Sequence, residues 1–231
     1  MVKNFVTGAA IALSLFAGAA SASTEYTITH QSSGVFGSGN LKQSVKIKNG
    51  YSTSTVNAGM FHLTGNNGLG DFLAFCVDLD QYLGNPQKAT IAPNLFTNTI
   101  TNNLSKLFSS VLGGGTLGDV ITTSVQAAGL QVAIWEVVED SNSYWGFNLD
   151  HGSFEVKSNW AVKSQANSYL SALSSGSLDD YDMTFFASKK NQDLVTANPI
   201  PETTPVPVPA AGLMILSAMG ALGVMRRRKK A

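Results

Sequence analysis

The sequence predicts an α+β fold: an antiparallel β-barrel or sandwich with an inserted helical portion, followed by a single C-terminal transmembrane helix. Two patterns predict the folded part. Apolar and polar residues alternate between Gly and Asn residues over residues 24 to about 64, which is typical of short antiparallel strands. Helical periodicity replaces this alternation from about residue 103. The chain has 231 residues, 44% of them hydrophobic, which suffices for one ordinary core besides its apolar ends.

The N-terminus has the three parts of a secretory signal peptide. Lys3 precedes an almost wholly apolar run over residues 5–20, and Ala20, Ser21 and Ala22 form an A-x-A cleavage site. We expect residues 1–22 to be removed and the rest of the chain to be exported through the inner membrane. The alternative interpretation is a buried N-terminal helix.

The folded domain is predicted over residues 23–196, in the following order. Strands are expected at 25–29, 44–48, 56–64 and 71–79, helices at 103–112, 123–140 and 156–173, and a final strand at 182–187. Three consecutive glycines, 113–115, predict a break between the first two helices.

A proline-rich linker and an apolar segment follow the domain. Residues 197–209 are rich in proline, which cannot donate to a β-ladder, so an extended linker is expected there. Residues 210–225 are apolar except for Ser217, and a helix of that length spans roughly 24 Å. This is marginal for a hydrocarbon core of about 30 Å. The alternative is a core helix with an exposed basic end.

Basic residues fix the orientation expected for this segment. Arg226, Arg227 and Arg228 follow it at once, together with two lysines. Such clusters stay on the cytoplasmic side of a membrane, so everything before residue 210 is expected outside. We therefore predict that residues 210–231 are a transmembrane segment with a basic tail, inserted through residues 210–225.

Charge argues against nucleic acid as a partner. Between the two terminal segments the chain has nine Lys, no Arg and fifteen Asp and Glu, a net charge of −6. Phosphate-binding surfaces need clustered Lys and Arg.

The C-terminal pattern resembles the sorting signal of PEP-CTERM proteins, in its VPLPA variant. The motif consists of Val206, Pro207, Val208, Pro209 and Ala210, followed by the apolar segment and the Arg cluster. Val208 stands where that family usually has Leu. The resemblance implies processing by an exosortase-type membrane protease and delivery to the cell surface or biofilm matrix of a Gram-negative bacterium.

Cys76 is the only cysteine of a chain that is expected to leave the reducing cytoplasm. A lone thiol in an oxidising compartment has no internal disulfide partner, so it must be protected or used. Its apolar surroundings, residues 72–79, fit a buried strand. A small buried hydrophobic residue is the simpler interpretation.

Gln131 is the second candidate. On a helix over residues 123–140 it falls in the same sector as Ala127, Ile134 and Trp135, which places an amide on the apolar side. A buried amide costs on the order of 1–3 kcal/mol when unpaired, so Gln131 needs hydrogen bonds or a covalent bond. A core glutamine bonded to a neighbouring strand is the simpler alternative.

The pair Phe75–Cys76, followed by the helix segment Leu130–Trp135, resembles the thioester domains of bacterial surface adhesins. That resemblance implies an internal thioester between the Cys76 sulfur and the Gln131 side-chain carbonyl, with Phe75 and Trp135 as its cover. It also implies covalent adhesion to an amine or hydroxyl on a protein or polysaccharide, without turnover, so the chain is not expected to be an enzyme. The alternative is a passive component of the envelope or the exopolysaccharide matrix.

Other groups give weaker signals. Asp179, Asp180 and Asp182 lack the spacing and glycine of a calcium loop, and we interpret them as a solvated turn. His30, His62 and His151 lack paired zinc spacing. No metal and no cofactor is expected. A secreted cysteine hydrolase that uses Cys76 and one histidine is a third possibility.

Overall fold

The structure, a computed structural model, describes residues 24–201. The strands are β1 Glu25–His30, β2 Lys42–Asn49, β3 Ser52–Gly59, β4 Phe61–Gly65, β5 Gly70–Cys76, β6 Gln87–Ile91, β7 Phe154–Val156, β8 Tyr181–Ala187 and β9 Leu194–Pro199. The helices are α1 Asn98–Leu112, α2 Leu117–Val120, α3 Ser124–Asp140 and α4 Trp160–Ala172.

Six antiparallel strands close into a barrel in the order β1-β4-β5-β9-β8-β6. Tyr26, Phe72 and Phe186 identify the interior, because the Phe186 ring contacts the other two from strands that are not hydrogen-bonded neighbours. The helices are inserted between β6 and β8. The prediction of an α+β fold with an antiparallel barrel and an inserted helical portion is therefore confirmed.

A separate antiparallel sheet, in the order β3-β2-β7, packs against α3. Val45 and Ile47 of β2 are buried, whereas Ser44 and Lys46, which alternate with them along the strand, are exposed. This is the period-two alternation of a sheet with one wet face. The apolar side of the sheet therefore forms one wall of the core around α3.

The chain passes from this sheet into the barrel at Gly59 and Met60. The sequence pattern predicts one continuous strand over residues 56–64, but the structure divides it into β3 and β4, which belong to different sheets. Gly59 permits the corner because a Cβ there would lie 2.3 Å from the carbonyl oxygen of Leu41. β4 consequently begins pairing with β5 only at Phe61, opposite Ala74.

Helix α3 is the centre of the fold, with twelve of its seventeen residues buried. It starts at a capping box, in which the Thr123 hydroxyl accepts from the Gln126 N–H and the Gln126 side chain accepts from the Thr123 N–H. Gly129 lets α4 approach closely, since a Cβ there would lie 2.6 Å from Cγ of Gln165. Burial on all sides explains why α3 lacks a clear polar face.

Several element boundaries differ from the sequence expectation. The helix predicted from residue 156 begins at Trp160, because Val156 pairs with Ile47 in the sheet and the Asn159 side chain caps the helix. β9 continues to Pro199, three residues into the predicted linker, and Ala197 is buried. The sequence pattern also does not predict β6, β7, β9 or α2.

The predicted terminal segments lie outside the described residues. These are the signal peptide 1–22, the motif 206–210, the span 210–225 and the basic cluster 226–228. Among the helices of residues 24–201, none has the length and apolarity needed to cross a membrane.

Asp140, at the end of α3, joins the helix to the start of β7. Its carboxylate is buried and accepts from the backbone N–H groups of Ser153 and Phe154, both at 2.9 Å. Hydrogen bonds to a charged acceptor are stronger than those between neutral groups. This contact holds the third strand of the sheet against the helix.

We expect Asp140→Ala to lower the free energy of unfolding by about 3 kcal/mol, because two N–H groups lose a charged acceptor. Urea denaturation followed by tryptophan fluorescence measures the change. Asp119→Ala is the matched control, since Asp119 is an exposed carboxylate of α2 that accepts only from the hydroxyl of the N-cap residue Thr116, and it should cost less than about 1 kcal/mol. Equal effects of the two substitutions would contradict this role of Asp140.

Candidate functional site

Cys76 is the last residue of β5, where the strand lacks a neighbour on one edge. On the other edge β5 pairs with β9, and the Val77 N–H donates to the Asp193 carbonyl at 3.0 Å. Backbone groups alternate between the two edges of a strand, so the N–H and C=O of Cys76 point away from β9. They face the edge on which β4 is the neighbouring strand. β4 does not extend as far as Cys76, because its first residue, Phe61, pairs with Ala74.

The side chain of Gln131 fills this position. The Cys76 N–H donates to Oε1 of Gln131 at 3.0 Å, and Nε2 of Gln131 donates to the Cys76 carbonyl at 2.7 Å. Both residues are only 1% exposed. The carboxamide thus replaces the missing strand residue, and the two residues that the sequence singles out, 55 positions apart, are in direct contact.

The sulfur of Cys76 lies beside the chain that follows it. Sγ is 2.6 Å from the carbonyl oxygen of Asp78 and 3.3 Å from its backbone nitrogen. Burial raises the pKa of the thiol to about 12, with a smaller contribution from the carboxylates of Asp78 and Asp193. Hydrogen bonding by the backbone of Asp78 and by the indole of Trp135 lowers the pKa of the thiol, but by less than burial raises it. At neutral pH the group is therefore a protonated thiol.

The two predicted covering residues take different positions. Trp135 is 3% exposed and lines the same pocket as Cys76, with its ring centroid 6.1 Å from that of Phe154. The indole N–H of Trp135 stabilises the thiolate form of Cys76 and so lowers the pKa of the thiol. Nε1 nevertheless has no hydrogen-bond partner of good geometry among residues 24–201. Phe75 is fully buried, but adjacent strand residues point to opposite faces, so its ring lies on the other side of β5 from Sγ. Of these two residues, Trp135 is the one that covers the sulfur.

A pocket of about 440 Å³ opens above Cys76 and Trp135. It lies at one mouth of the barrel, where β1, β4 and β5 have their ends at His30, Phe61 and Cys76. The remaining wall comes from β3 and from the segments that follow β1 and β5. Among the described residues, no Lys or Arg lines it. The sulfur therefore forms part of the pocket floor while remaining almost inaccessible.

The three histidines are dispersed. His30 lines the pocket, but its Nε2 has no hydrogen-bond partner among the described residues and so makes no bond to Sγ. His62 lies on the opposite face of β4 from Phe61, and the ring of His151 is beside Trp145 at 5.4 Å. Among residues 24–201 the hydrogen bonds of Sγ are to the backbone of Asp78 and none is to an imidazole.

The acidic turn and the other candidate metal ligands do not converge. Asp180 accepts a hydrogen bond from the Ser109 hydroxyl at 2.5 Å, while Asp179 and Asp182 are exposed. Within residues 24–201 no three His, Cys, Asp or Glu side chains group closely enough to hold a metal ion.

Glu136 is a buried acid that the sequence pattern does not single out. It follows Trp135 on α3, is fully buried, and accepts from the Asn148 N–H at 2.5 Å through Oε1. Oε2 has no partner among the described residues. Burial, together with the charge of Asp140, raises the pKa of Glu136 to about 8. Helical periodicity places Glu136 away from Gln131, but it cannot reveal that α3 is buried on every side.

No protein-family model, curated protein or solved structure matches this chain.

We expect Gln131→Met to cost about 3 kcal/mol of unfolding free energy when it is introduced into a Cys76→Ala chain. In that background no covalent bond can contribute, and the substitution leaves one buried N–H and one buried C=O unpaired. Gln43→Met is the control, because the half-buried Gln43 makes one side-chain bond, to Ser124, and should cost less than about 1 kcal/mol. Similar losses from both substitutions would contradict the structural role of Gln131.

The second expectation concerns pH. The folded-state pKa of Glu136, about 8, is above the ordinary value of 4.5. Its contribution to stability is therefore complete below pH 4.5 and is lost as the pH rises through 8. Glu136→Gln should remove the loss of folding stability that ionisation of Glu136 causes. The urea midpoints at pH 5 and pH 8 should therefore differ less in the variant than in the wild type. Equal declines would show that Glu136 ionises normally.

Proposed function

We propose that this chain is an exported surface or matrix protein that attaches covalently to a partner through an internal thioester between Cys76 and Gln131. The observation that carries the proposal is the pair of hydrogen bonds between the Gln131 carboxamide and the Cys76 backbone, buried beneath a pocket. They hold the carboxamide against the residue that carries the thiol. This proximity converts a bimolecular reaction into an intramolecular one.

Thioester formation requires attack of Sγ on Cδ of Gln131. The bond from Cδ to Nε2 breaks, the thiol proton is transferred to the departing nitrogen, and ammonia leaves. Oε1 already accepts from the Cys76 N–H at 3.0 Å, so this donor is in place when negative charge develops on the oxygen. Sγ must first turn away from the Asp78 carbonyl, where it lies in the structure.

Burial serves this chemistry in two ways. Water is kept from an acyl-thiol bond that is much more electrophilic than an amide, because both residues are buried and Trp135 covers the sulfur. A covalent link across 55 residues also constrains the unfolded chain, by roughly 4 kcal/mol on the chain-entropy model for disulfides. Even an unreacted thioester would stabilise the domain.

Attachment itself is a single acyl transfer. An amine or hydroxyl on a protein or polysaccharide attacks Cδ, the sulfur leaves, and Cys76 regains its proton. Gln131 is consumed as the acyl donor, so the chain acts once and is not an enzyme. The raised pKa of the Cys76 thiol and the absence of a histidine partner for it within residues 24–201 also oppose a hydrolase.

The ends of the chain support display outside the cell. The pattern of residues 1–22 favours export, and the motif 206–210 with its apolar segment and basic cluster favours sorting by an exosortase-type protease. Cell surface or extracellular matrix is the proposed location. A covalent adhesive group is useful in that location, where partner surfaces are encountered.

A passive envelope or matrix component is the second candidate. The same two hydrogen bonds satisfy the buried amide of Gln131 without any reaction, and Sγ has its own backbone partner at Asp78. Covalent chemistry distinguishes the two functions.

The intact mass of the freshly purified secreted chain tests the proposal. A thioester makes the wild type lighter than its sequence by one ammonia, and treatment with methylamine adds one methylamine at Gln131. Cys76→Ala should show the full sequence mass and no addition, because the acceptor thiol is missing. A wild-type chain of full sequence mass, with a thiol that titrates only after denaturation, would leave the passive component as the function.

A further inference from the structure

The pocket above Cys76 contains hydrogen-bonding groups that have no partner within the described part of the chain. Nε1 of Trp135 is a buried donor that is near the Cys76 sulfur but has no acceptor of good geometry among residues 24–201, and Nε2 of His30 is a buried atom without any partner there. Both residues line the pocket. Unpaired polar atoms at a buried surface are costly, so they indicate where a ligand would make bonds.

The two groups complement a hydroxyl group. Burial lowers the pKa of His30, so its ring is neutral at pH 7 and Nε2 accepts when the proton is on Nδ1. Trp135 only donates. A hydroxyl both donates and accepts in the form that attacks, whereas a lysine at neutral pH enters as an ammonium group, which only donates and must lose a proton before it can attack.

The rest of the pocket wall is mostly uncharged and combines aliphatic, aromatic and polar side chains. Asn57, Gln81 and Gln192 provide amides, and Asp80 is a carboxylate that accepts from hydroxyl groups. The ring of Tyr82 is 89% exposed at this wall. Its backbone is nevertheless fixed, because the Tyr82 carbonyl accepts from Gln192 N at 3.2 Å and from Nδ2 of Asn191 at 3.3 Å.

An exposed aromatic ring on a fixed backbone is a preorganised apolar platform, and the amides around it supply directional bonds. A sugar ring presents the matching surfaces: apolar C–H groups on one face and hydroxyls around the edge. The chemistry of the wall favours a neutral saccharide over a protein lysine.

We propose that the pocket binds a neutral saccharide and directs one of its hydroxyl groups to the thioester, so that the product is a polysaccharide ester of Gln131. This inference rests on the proposed function and names its acceptor. The hydroxyl oxygen forms a bond to Cδ, the bond from Cδ to Sγ breaks, and the hydroxyl proton goes to the sulfur. The products are an ester and the Cys76 thiol, and no further reactant is needed.

The test compares three small nucleophiles on the intact secreted chain by mass spectrometry. Methyl β-glucoside and 1-propanol, at equal hydroxyl concentration, report saccharide selection, and Nα-acetyllysine amide reports the lysine alternative. The glucoside should react about tenfold faster than propanol, the gain expected from roughly one well-made hydrogen bond. The rate with the glucoside divided by the rate with the lysine derivative should also be higher on the protein than on a small free thioester in solution.

Two substitutions should remove the preference for the glucoside: His30→Leu, which deletes the acceptor, and Tyr82→Ala, which deletes the exposed ring. His62→Leu is the matched control, because His62 also has a buried unpaired Nε2 and a pKa lowered by burial but does not line the pocket. His62→Leu should keep the wild-type preference, and for every variant the rate with the glucoside is divided by the rate of the same variant with methylamine. Tyr82 is exposed, so its variant keeps the test valid if His30→Leu fails to fold.

The outcomes separate this inference from the function on which it rests. Absence of the mass deficit would overturn the thioester and the saccharide proposal together. A thioester that reacts with methylamine, but with the glucoside no faster than with propanol, would overturn only the saccharide proposal. A selective gain for the lysine derivative would do the same and assign the pocket to a protein acceptor.

Discussion

The site depends on one interaction, the pairing of the Gln131 carboxamide with the backbone of Cys76. A glutamine side chain has one acceptor and one donor at its end, the same combination that a strand residue presents to its neighbour. It can therefore continue a β-ladder by one residue where the next strand is missing. The pairing fixes the rotation of α3 about its axis and its height against the barrel, and in doing so it places Trp135 over the sulfur.

The missing strand residue is a consequence of how the two sheets are connected. Because the chain changes sheets at Gly59 and Met60, β4 starts two residue pairs too late to cover Cys76. A continuous strand over residues 56–64 would have paired Gly59 with Cys76 and left no room for Gln131. The corner therefore creates both the free edge that Gln131 occupies and the mouth of the barrel at which the pocket opens.

Helix α3 carries three buried polar groups, of which two are fully hydrogen-bonded and one is not. Gln131 has both ends of its amide bonded, and Asp140 accepts two backbone N–H groups, so each is satisfied. Glu136 has one oxygen without a partner among the described residues and a raised pKa, and it is the least satisfied group of the three. Polar residues in such a helix have a cost that apolar residues would avoid. Their presence at the centre of the core indicates that the helix positions the site as well as filling the interior.

The sequence alone predicted the fold class of the domain and the position of α3, because alternation and helical periodicity are local signals. That Cys76 and Gln131 meet was expected only from the resemblance to thioester domains. The sequence indicated that Gln131 points inward, since that follows from its angle on the helix. Tertiary structure alone decided that Gln131 bonds to the Cys76 backbone, because this depends on where β4 begins. It also decided that Trp135 covers the sulfur while Phe75 faces away from it. It also decided the burial of Glu136 and the late end of β9, since both depend on neighbours far away in the sequence. Local pattern specifies which face a residue occupies, but only packing specifies what that face meets.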